Sequence, residues 1–310
     1  MVPASGGNES GEAILLAGPT ASGKSEVALR LAEALGAEII SADSMQVYRG
    51  LDIGTAKPAP EDLRRVAHHL IDIVGLDQPF DTAHWLVAAR SAAAEIEGRG
   101  RRVILCGGTG LYFSAWLGRL DELPPADPRL RAELETLPLE VLLSELAERD
   151  PATHAAIDRK NPRRVVRAVE LLRLTGKPRA RRLGAMQVLP GATVHVMQRE
   201  SSDLRHRIES RVDAMIGRGW VAEVRGLLAA GLEGHRIPMQ AIGYRQILEH
   251  LRGERDLVST VALIKTKTWQ FARRQMTWFR NQLPVEWVSV PPDETAERTV
   301  ERMLASVKPG

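Results

Sequence analysis

The residues with the clearest chemical capability form a glycine-rich loop, Gly18-Pro19-Thr20-Ala21-Ser22-Gly23-Lys24-Ser25. This loop fits the pattern G-x-x-x-x-G-K-[ST], in which backbone N–H groups surround an anion. Lys24 supplies a full positive charge, the following helix adds its partial charge, and Ser25 can reach Mg²⁺. We therefore expect Gly18 to Ser25 to hold a pyrophosphate group, although the pattern does not say which one. A chance match in a turn is disfavoured, because an apolar run precedes the loop and a helical pattern follows it.

One acidic residue is a candidate partner for this loop. Motor ATPases and GTPases follow a later strand with an Asp that helps to hold Mg²⁺, whereas Val103 to Cys106 runs into Gly107-Gly108-Thr109-Gly110 without an acid. Asp43 instead follows the second predicted strand, and ligands of open parallel sheets bind at the carboxyl ends of the strands. Asp43 is thus a candidate metal or proton partner. The pattern equally allows it to cap a turn through Ser44 or a backbone N–H.

The elements that position these residues follow from hydrophobic periodicity. Short apolar runs predict strands at residues 13–17, 37–42, 70–74, 103–106, 193–197 and 285–290. Helical spacing predicts helices at 25–35, 82–98 (N-capped by Asp81), 203–217, 219–230, 240–251, 256–281 and 294–307. Within residues 260–280, the same spacing allows Ile264, Phe271, Ala272, Met276 and Phe279 to face the core. Uninterrupted apolar strands that alternate with helices indicate a parallel sheet. We expect an α/β fold, with a P-loop-type parallel sheet core, helices on both faces and a mostly helical insertion.

The insertion is indicated by a change in sequence composition and pattern after about Leu117. Residues 123–128 carry three prolines and cannot continue a helix, and the next sixty or so residues look helical and Arg-rich. We predict a disordered tail at 1–12, a core made of 13–117 and 191–310, and a helical insertion at 118–190.

Composition limits the possible classes of protein. The chain has 310 residues, of which 44% are hydrophobic and 26% charged, so an ordinary globular protein is expected. Cys106 is the single cysteine, which excludes an intramolecular disulfide and a cysteine-based metal site. The apolar run at 13–17 is too short to cross a membrane. We expect a cytoplasmic protein without membrane contact.

Although the net charge is only +3, the charge is unevenly distributed and the chain contains two basic tracts. Ten Lys or Arg lie between Arg159 and Arg182 against the single acid Glu170, and five lie between Lys265 and Arg280 against none. Such tracts favour a polyanionic partner. A solvated basic surface is the alternative for both.

Five blocks of sequence, in the same order, resemble the bacterial tRNA dimethylallyltransferase family, and the resemblance runs from about Ala13 to Trp287. The blocks are Asp43-Ser44-Met45-Gln46-Val47-Tyr48, Asp52-Ile53-Gly54-Thr55-Ala56-Lys57-Pro58, Gly107-Gly108-Thr109-Gly110-Leu111-Tyr112, Ile242-Gly243-Tyr244-Arg245 and Arg273-Arg274-Gln275-Met276-Thr277-Trp278-Phe279-Arg280.

The resemblance implies a prenyl transfer. The phosphate loop would hold dimethylallyl diphosphate rather than ATP for hydrolysis, and the enzyme would alkylate N6 of adenosine 37, next to the anticodon of tRNA, releasing diphosphate. Mg²⁺ is the implied cofactor, and the anticodon stem-loop of tRNA is the implied partner. We expect a monomer.

Site residues are carried over from the family position by position. Asp43 resembles the general base, Thr20 to Ser25 match the diphosphate-contacting stretch, Arg211 resembles an arginine that reaches the diphosphate, and Thr109 and Arg131 align near the reacting centre. Ser25 is the expected metal contact. The segments that match tRNA contacts are Asp43, Ser44, Met45, Gln46; Arg163, Arg164, Val165, Val166, Arg167; Gln240, Ala241, Ile242, Gly243, Tyr244, Arg245; and Arg273, Arg274, Gln275, Met276, Thr277, Trp278, Phe279, Arg280. The segment from Arg163 to Arg167 is variable in the family, so individual side-chain roles are not assigned there.

Two other functions compete with prenyl transfer. A nucleoside or small-molecule kinase shares the loop, the Mg²⁺ and an Asp near the acceptor, but it would not need the basic tracts. A nucleic-acid-binding module with a nucleotide switch would not need Asp43.

Overall fold

The computed structural model describes residues 13–119, 124, 127–176, 178, 193–235 and 238–306. The chain divides into two compact units, one formed by Met1–Phe113 with Gly191–Gly310 and the other by Ser114–Pro190. The predicted disordered tail, 1–12, lies outside the described residues, as do residues 179–192 of the predicted insertion and its continuation into the sheet.

The first unit is built on a six-stranded parallel sheet with the strand order β3-β2-β4-β1-β5-β6. Its strands are β1 Ile14–Ala17, β2 Glu38–Ala42, β3 His68–His69, β4 Val103–Gly107, β5 Val194–Gln198 and β6 Val285–Ser289. The α/β fold with a parallel sheet is confirmed.

Both faces of the central strands are buried, as a parallel sheet requires. Ile14, Leu16 and Ile104 pack in one cluster with helices α1 (Lys24–Leu35) and α13 (Ala296–Ser306). The alternate residues Leu15 and Leu105 face the opposite side and are no more than 1% exposed. Helices therefore cover both faces of the sheet.

The third strand differs from the prediction. The apolar pattern predicts it at residues 70–74, but the strand consists of His68 and His69, and Val74 makes only an isolated bridge to Tyr48. Leu70 and Asp72 adopt positive φ values of 62° and 56°, which end the extended run. The apolar pattern of 70–74 reflects packing of a turn rather than a strand.

Most of the remaining helices of the first unit coincide with predicted ones, whereas α2, which buries none of its residues, and α4 were not predicted. Asp81 caps α3 as predicted, accepting hydrogen bonds from Ala83 N and His84 N at 3.0 Å each. These helices are α2 Pro60–Arg65, α3 Thr82–Gly98, α4 Gly110–Trp116 (in which the division between the units falls), α9 Ser201–Gly217, α10 Trp220–Ala229, α11 Tyr244–Leu251 and α12 Leu257–Gln282.

The second unit is helical in its described part, with a small core of its own. Its helices are α5 Pro128–Thr136, α6 Leu139–Arg149, α7 Pro151–Ala156 and α8 Pro162–Thr175. Asn161 caps α8 by accepting from Arg164 N, and Gly176 ends it at φ 63°. Leu134, Leu146 and Val165 are fully buried between these helices.

None of the described helices combines the length and the apolar composition that a bilayer crossing demands.

Candidate active site

A cavity of about 380 Å³ opens in the first unit at the carboxyl ends of β1, β2 and β4. Its size is within the range of small-molecule sites. It is lined by residues of the phosphate loop, of the segment after β2 and of the turn after β4, and by residues of α9, of α10, of the segment that precedes α11, and of α12. The lining residues include Thr20, Lys24, Ser25, Asp43, Ser44, Met45, Gln46, Gly54, Thr55, Thr109, Ile208, Arg211, Val212, Met215, Trp220, Gln240, Ala241, Ile242, Phe271, Arg274 and Gln275.

The phosphate loop adopts the conformation that its glycines predict. Gly23 lies at φ 94° directly before α1, and Ala21 also has a positive φ of 64°. Lys24 Nζ folds back to donate to Pro19 O at 3.2 Å. The start of α1 thus faces the cavity with Lys24 and Ser25 on its wall.

Two arginines hold the outer side of the loop. Arg199 Nε donates to Ser22 O at 2.8 Å, and Arg207 Nε donates to Ala21 O at 3.0 Å. Arg199 is also paired with Asp203 at 2.9 Å. Burial, together with the nearby Arg199, lowers the pKa of Arg207. These hydrogen bonds direct the carbonyl groups of Ala21 and Ser22 toward the two arginines, so these groups do not compete with an anion bound by the loop.

Asp43 lines the same cavity as Lys24. Its Oδ1 accepts a hydrogen bond from Met45 N at 2.8 Å, so the turn-capping interpretation also describes part of its geometry. The segment is anchored to the β4 turn, because Thr109 N donates to Ala42 O at 3.1 Å and Ser44 N donates to Thr109 Oγ1 at 3.2 Å. One carboxylate therefore both closes a turn and faces the phosphate-loop cavity.

The cavity is electropositive. Among the described lining residues, Lys24, Arg211 and Arg274 are basic and Asp43 is the one acid. Burial lowers the pKa of Lys24 and of Arg211, and the Asp43 carboxylate opposes both shifts. Two desolvated cations beside a single carboxylate form a site that a multiply charged anion would stabilise.

A second part of the cavity wall is apolar and lies next to Arg211. Ile208, Val212 and Met215 project from α9 at helical spacing, and Trp220 and Ala241 complete this wall. An apolar pocket adjoining an anion site fits a ligand with a hydrocarbon group attached to a diphosphate.

Cys106 also lines the cavity, but it is not a nucleophile at neutral pH. Burial raises the pKa of its thiol to about 11, despite the nearby Lys24. Cys106 therefore contributes packing.

Mg²⁺ fits the oxygen donors at the loop. The described residues contain no group of three or more His, Cys, Asp or Glu side chains that could form a cage. Mg²⁺ is commonly held by one or two protein oxygens together with substrate phosphates. The Ser25 hydroxyl and the Asp43 carboxylate line one cavity and supply such oxygens.

The predicted site residues fall into two groups. Thr20, Asp43, Thr109 and Arg211 are brought together around the cavity. Arg131 belongs to the helical unit, where its guanidinium donates to Glu170 at 2.7 Å. A role for Arg131 near the reacting centre stays a prediction.

The segments predicted to contact tRNA are partly exposed and partly internal. Within Arg163 to Arg167, Val165 and Val166 pack in the helical core, and Arg167 pairs with Glu170 at 2.8 Å. Gly243 and Tyr244 pack against Trp220. The lining residues from these segments are Asp43, Ser44, Met45, Gln46, Gln240, Ala241, Ile242, Arg274 and Gln275, and the exposed ones include Arg163, Arg164, Arg245, Arg273, Thr277 and Arg280.

Within the last segment, the aromatic residues pack inward. Phe279 is fully buried and packs edge-to-face with Phe113, the two ring centroids being 6.0 Å apart. Trp278 lies against Gly110. Met276 is half-buried. RNA contact by these segments stays a prediction.

Several site residues are not identified by sequence reasoning. Arg199, Arg207 and Phe271 have no role assigned from the sequence, and Phe271, which helical spacing places in the core, is 38% exposed and lines the cavity. The spacing of Arg207 four residues before Arg211 puts both on one face of α9, a signal that could have found Arg207.

The chain is similar in sequence to known transferases. The family described as IPP transferase matches residues 46–282. A tRNA dimethylallyltransferase of Geobacter metallireducens is 47% identical over 294 residues, covering 90% of this chain and 92% of that protein. The tRNA dimethylallyltransferase 1 of Trichlorobacter lovleyi is 46% identical over 289 residues, covering 90% of this chain and 93% of that protein.

Solved structures are also similar. The full-length tRNA isopentenylpyrophosphate transferase of Bacillus halodurans has a TM-score of 0.70 at 35% identity, covering 95% of this chain and 96% of that one. A eukaryotic dimethylallyltransferase, solved in snapshots of its action on tRNA, has a TM-score of 0.80 at 23% identity and covers 96% of this chain and 81% of that one. The latter likeness supports the fold alone.

Proposed function

We propose that this chain, which belongs to the IPP transferase family, transfers the dimethylallyl group of dimethylallyl diphosphate to N6 of adenosine 37 of tRNA, releasing diphosphate. The observation that carries this proposal is that Asp43 and Lys24 line one cavity, with an apolar wall beside them. An anion site, a proton acceptor and a hydrocarbon pocket are the three parts that an alkylation by an allylic diphosphate requires.

The nucleophile needs a base. The lone pair of adenine N6 is delocalised into the ring, so the amine becomes nucleophilic only as its proton leaves. In the proposed reaction the C–N bond forms, the C–O bond to diphosphate breaks, and the N6 proton passes to the Asp43 carboxylate. General-base help of this kind is worth roughly 10² to 10⁴ in rate.

The leaving group needs positive charge. Negative charge develops on the diphosphate oxygen as the allylic carbon departs. In this proposal Lys24 and Arg211, which line the cavity, stabilise that charge together with N–H groups of the loop. The Ser25 hydroxyl would contribute to holding Mg²⁺, which when bound would supply further positive charge to the leaving group. The fixed loop conformation, maintained by Arg199 and Arg207, keeps these donors in place before the reaction.

The acceptor base must leave its stack to reach the cavity. Bases of a single-stranded loop are turned out at low cost. Arg273, Arg280, Arg163 and Arg164 are exposed and are the proposed contacts for the phosphates of the anticodon stem-loop. We expect a cytoplasmic protein, because tRNA is the substrate, and we propose that it acts as a monomer.

One assay separates prenyl transfer from the alternatives. The protein is incubated with unmodified tRNA, Mg²⁺ and either labelled dimethylallyl diphosphate or labelled ATP. Label that moves from dimethylallyl diphosphate into tRNA supports the proposal. Label that moves from ATP into a small molecule would instead identify a kinase, and tRNA binding without either transfer would identify a binding module.

A further inference from the structure

Both polar groups of the Gln275 side-chain amide form hydrogen bonds. Gln275 lies on α12 and is 8% exposed. Its Oε1 accepts a hydrogen bond from Thr20 N of the phosphate loop at 2.9 Å, and its Nε2 donates to Gly108 O of the β4 turn at 2.9 Å. One side chain therefore joins two backbone segments that are distant in sequence.

The fit of this amide against the turn is close. A Cβ atom added at Gly108 would lie 2.3 Å from Gln275 Nε2 and 3.3 Å from Gly18 O. Only glycine at this position lets the amide, the turn and the loop approach one another. The absence of a side chain at Gly108 thus leaves room for the contact.

The same turn holds the segment of the proposed base. Thr109 follows Gly108, accepts from Ser44 N and donates its own N–H to Ala42 O. Asp43 lies between Ala42 and Ser44. Gln275 is therefore the link between the loop proposed to hold the diphosphate and the turn that fixes Asp43.

We propose that Gln275 is a positioning residue, which sets the phosphate loop relative to the Asp43 segment, rather than a residue that recognises RNA. This inference rests on the proposed function of the loop as a diphosphate site. Without the amide, Thr20 N and the buried Gly108 O would lose their partners, and the loop would sample conformations that no longer match the anion.

The position of α12 does not depend on Gln275 alone. Trp278, one turn further along the helix, packs on Gly110 of the same turn, and Phe279 packs on Phe113. A substitution at Gln275 is therefore expected to release the loop while leaving the helix in place.

The primary test is calorimetric binding of inorganic diphosphate in the presence of Mg²⁺. Gln275→Met keeps the side-chain length and removes both hydrogen bonds, and we expect it to weaken binding at least tenfold with little change in tRNA affinity. Gln270→Met is the matched control, because Gln270 lies on the same helix and is exposed. Equal affinities for Gln275→Met and the wild type would overturn the proposal, as would a loss confined to tRNA binding.

A second variant separates hydrogen bonding from packing. In Gln275→Glu, the ionised carboxylate can accept from Thr20 N but cannot donate to Gly108 O, whereas the protonated carboxyl can do both. We expect the affinity for diphosphate, relative to the wild type at the same pH, to recover as pH falls. A ratio that does not change with pH would contradict the assignment.

The wild-type chain supplies a third test that needs no variant. The amide hydrogen of Thr20 is expected to exchange slowly in the absence of ligand, because it donates to Gln275. Exchange as fast as that of an exposed loop amide would overturn the inference. None of these measurements requires prenyl transfer, so a wild type that binds diphosphate but does not modify tRNA would refute the proposed function and not this one.

Discussion

The phenolic hydroxyl of Tyr244 donates a hydrogen bond to the Glu223 carboxylate at 2.7 Å. The same carboxylate accepts the backbone N–H of Ile53 at 2.6 Å and that of Asp52 at 3.2 Å. The next residue, Gly54, lines the cavity and lies directly against Trp220. Two sequence blocks that separately resemble the family therefore meet at one carboxylate, which shapes the cavity wall.

Replacing Tyr244 with Phe is expected to destabilise the chain. The substitution removes one donor from a carboxylate that also organises the 52–54 backbone, and hydrogen bonds to charged groups contribute about 1.5 to 3 kcal/mol. The free energy of unfolding in urea measures the loss. Tyr112→Phe is the control and should cost less, because the Tyr112 ring stacks on Trp85 with the ring centroids 4.3 Å apart and Phe can keep this contact. Equal losses for both variants would show that the Glu223 contact is not stabilising.

Glu38 is expected to make stability depend on pH. It begins β2, at the end of the sheet opposite the cavity, and pairs with His69 at 2.7 Å, Arg99 at 2.7 Å and Arg101 at 3.5 Å. Burial raises the pKa of its carboxyl, but the hydrogen bonds from Arg99 and His69 outweigh burial and hold it below the ordinary 4.5. A depressed folded-state pKa means that this stabilisation is present above pH 4.5 and is lost as pH falls through the folded-state value.

Unfolding free energies of the wild type and Glu38→Gln, measured from neutral to acidic pH, check this prediction. The difference should be on the order of 1 kcal/mol at neutral pH, since the arginines are half-exposed and screened, and it should shrink below pH 4.5. Glu61→Gln, at an exposed pair with Arg64, should show a small difference at every pH. A Glu38→Gln difference that grows on acidification would have the wrong sign.

The sequence predicted the parts of the site that are encoded locally. The phosphate loop is a contiguous pattern between a strand and a helix, and Asp43 follows a buried strand, so both could be placed at one edge of a parallel sheet. The order of the strands and the partner of each loop depend on contacts between distant segments, which periodicity does not contain.

α12 illustrates the limit of pattern-based prediction. Helical spacing correctly predicted that Ile264, Ala272 and Phe279 are buried, whereas Met276, predicted on the same face, is half-buried. It did not predict that polar Gln275 would be buried by backbone groups of the phosphate loop and the β4 turn, or that Phe271 would face a cavity. Periodicity identifies a helix face, whereas the surface that packs on this face is set by the tertiary fold.

Removal of the exposed arginines at the start of α8 is expected to weaken tRNA binding. Replacing Arg163 and Arg164 with Ala should lower the affinity for tRNA. It should also make the plot of log affinity against log salt concentration less steep, by roughly one unit of slope for each phosphate that the protein no longer neutralises. A salt titration of tRNA binding measures this slope. The control Arg64→Ala with Arg298→Ala removes two exposed arginines from α2 and α13 and should leave the slope unchanged. A slope of the Arg163 and Arg164 variant equal to that of the wild type would mean that this segment is only a solvated surface.

The most direct test of the central claim is the single-turnover rate of dimethylallyl transfer to tRNA by Asp43→Asn, measured beside its tRNA affinity. The substitution keeps the shape of the side chain and removes the proton acceptor. The rate is expected to fall at least roughly a hundredfold while tRNA affinity stays nearly unchanged. A variant that transfers the group at close to the wild-type rate would contradict the assignment of Asp43 as the base.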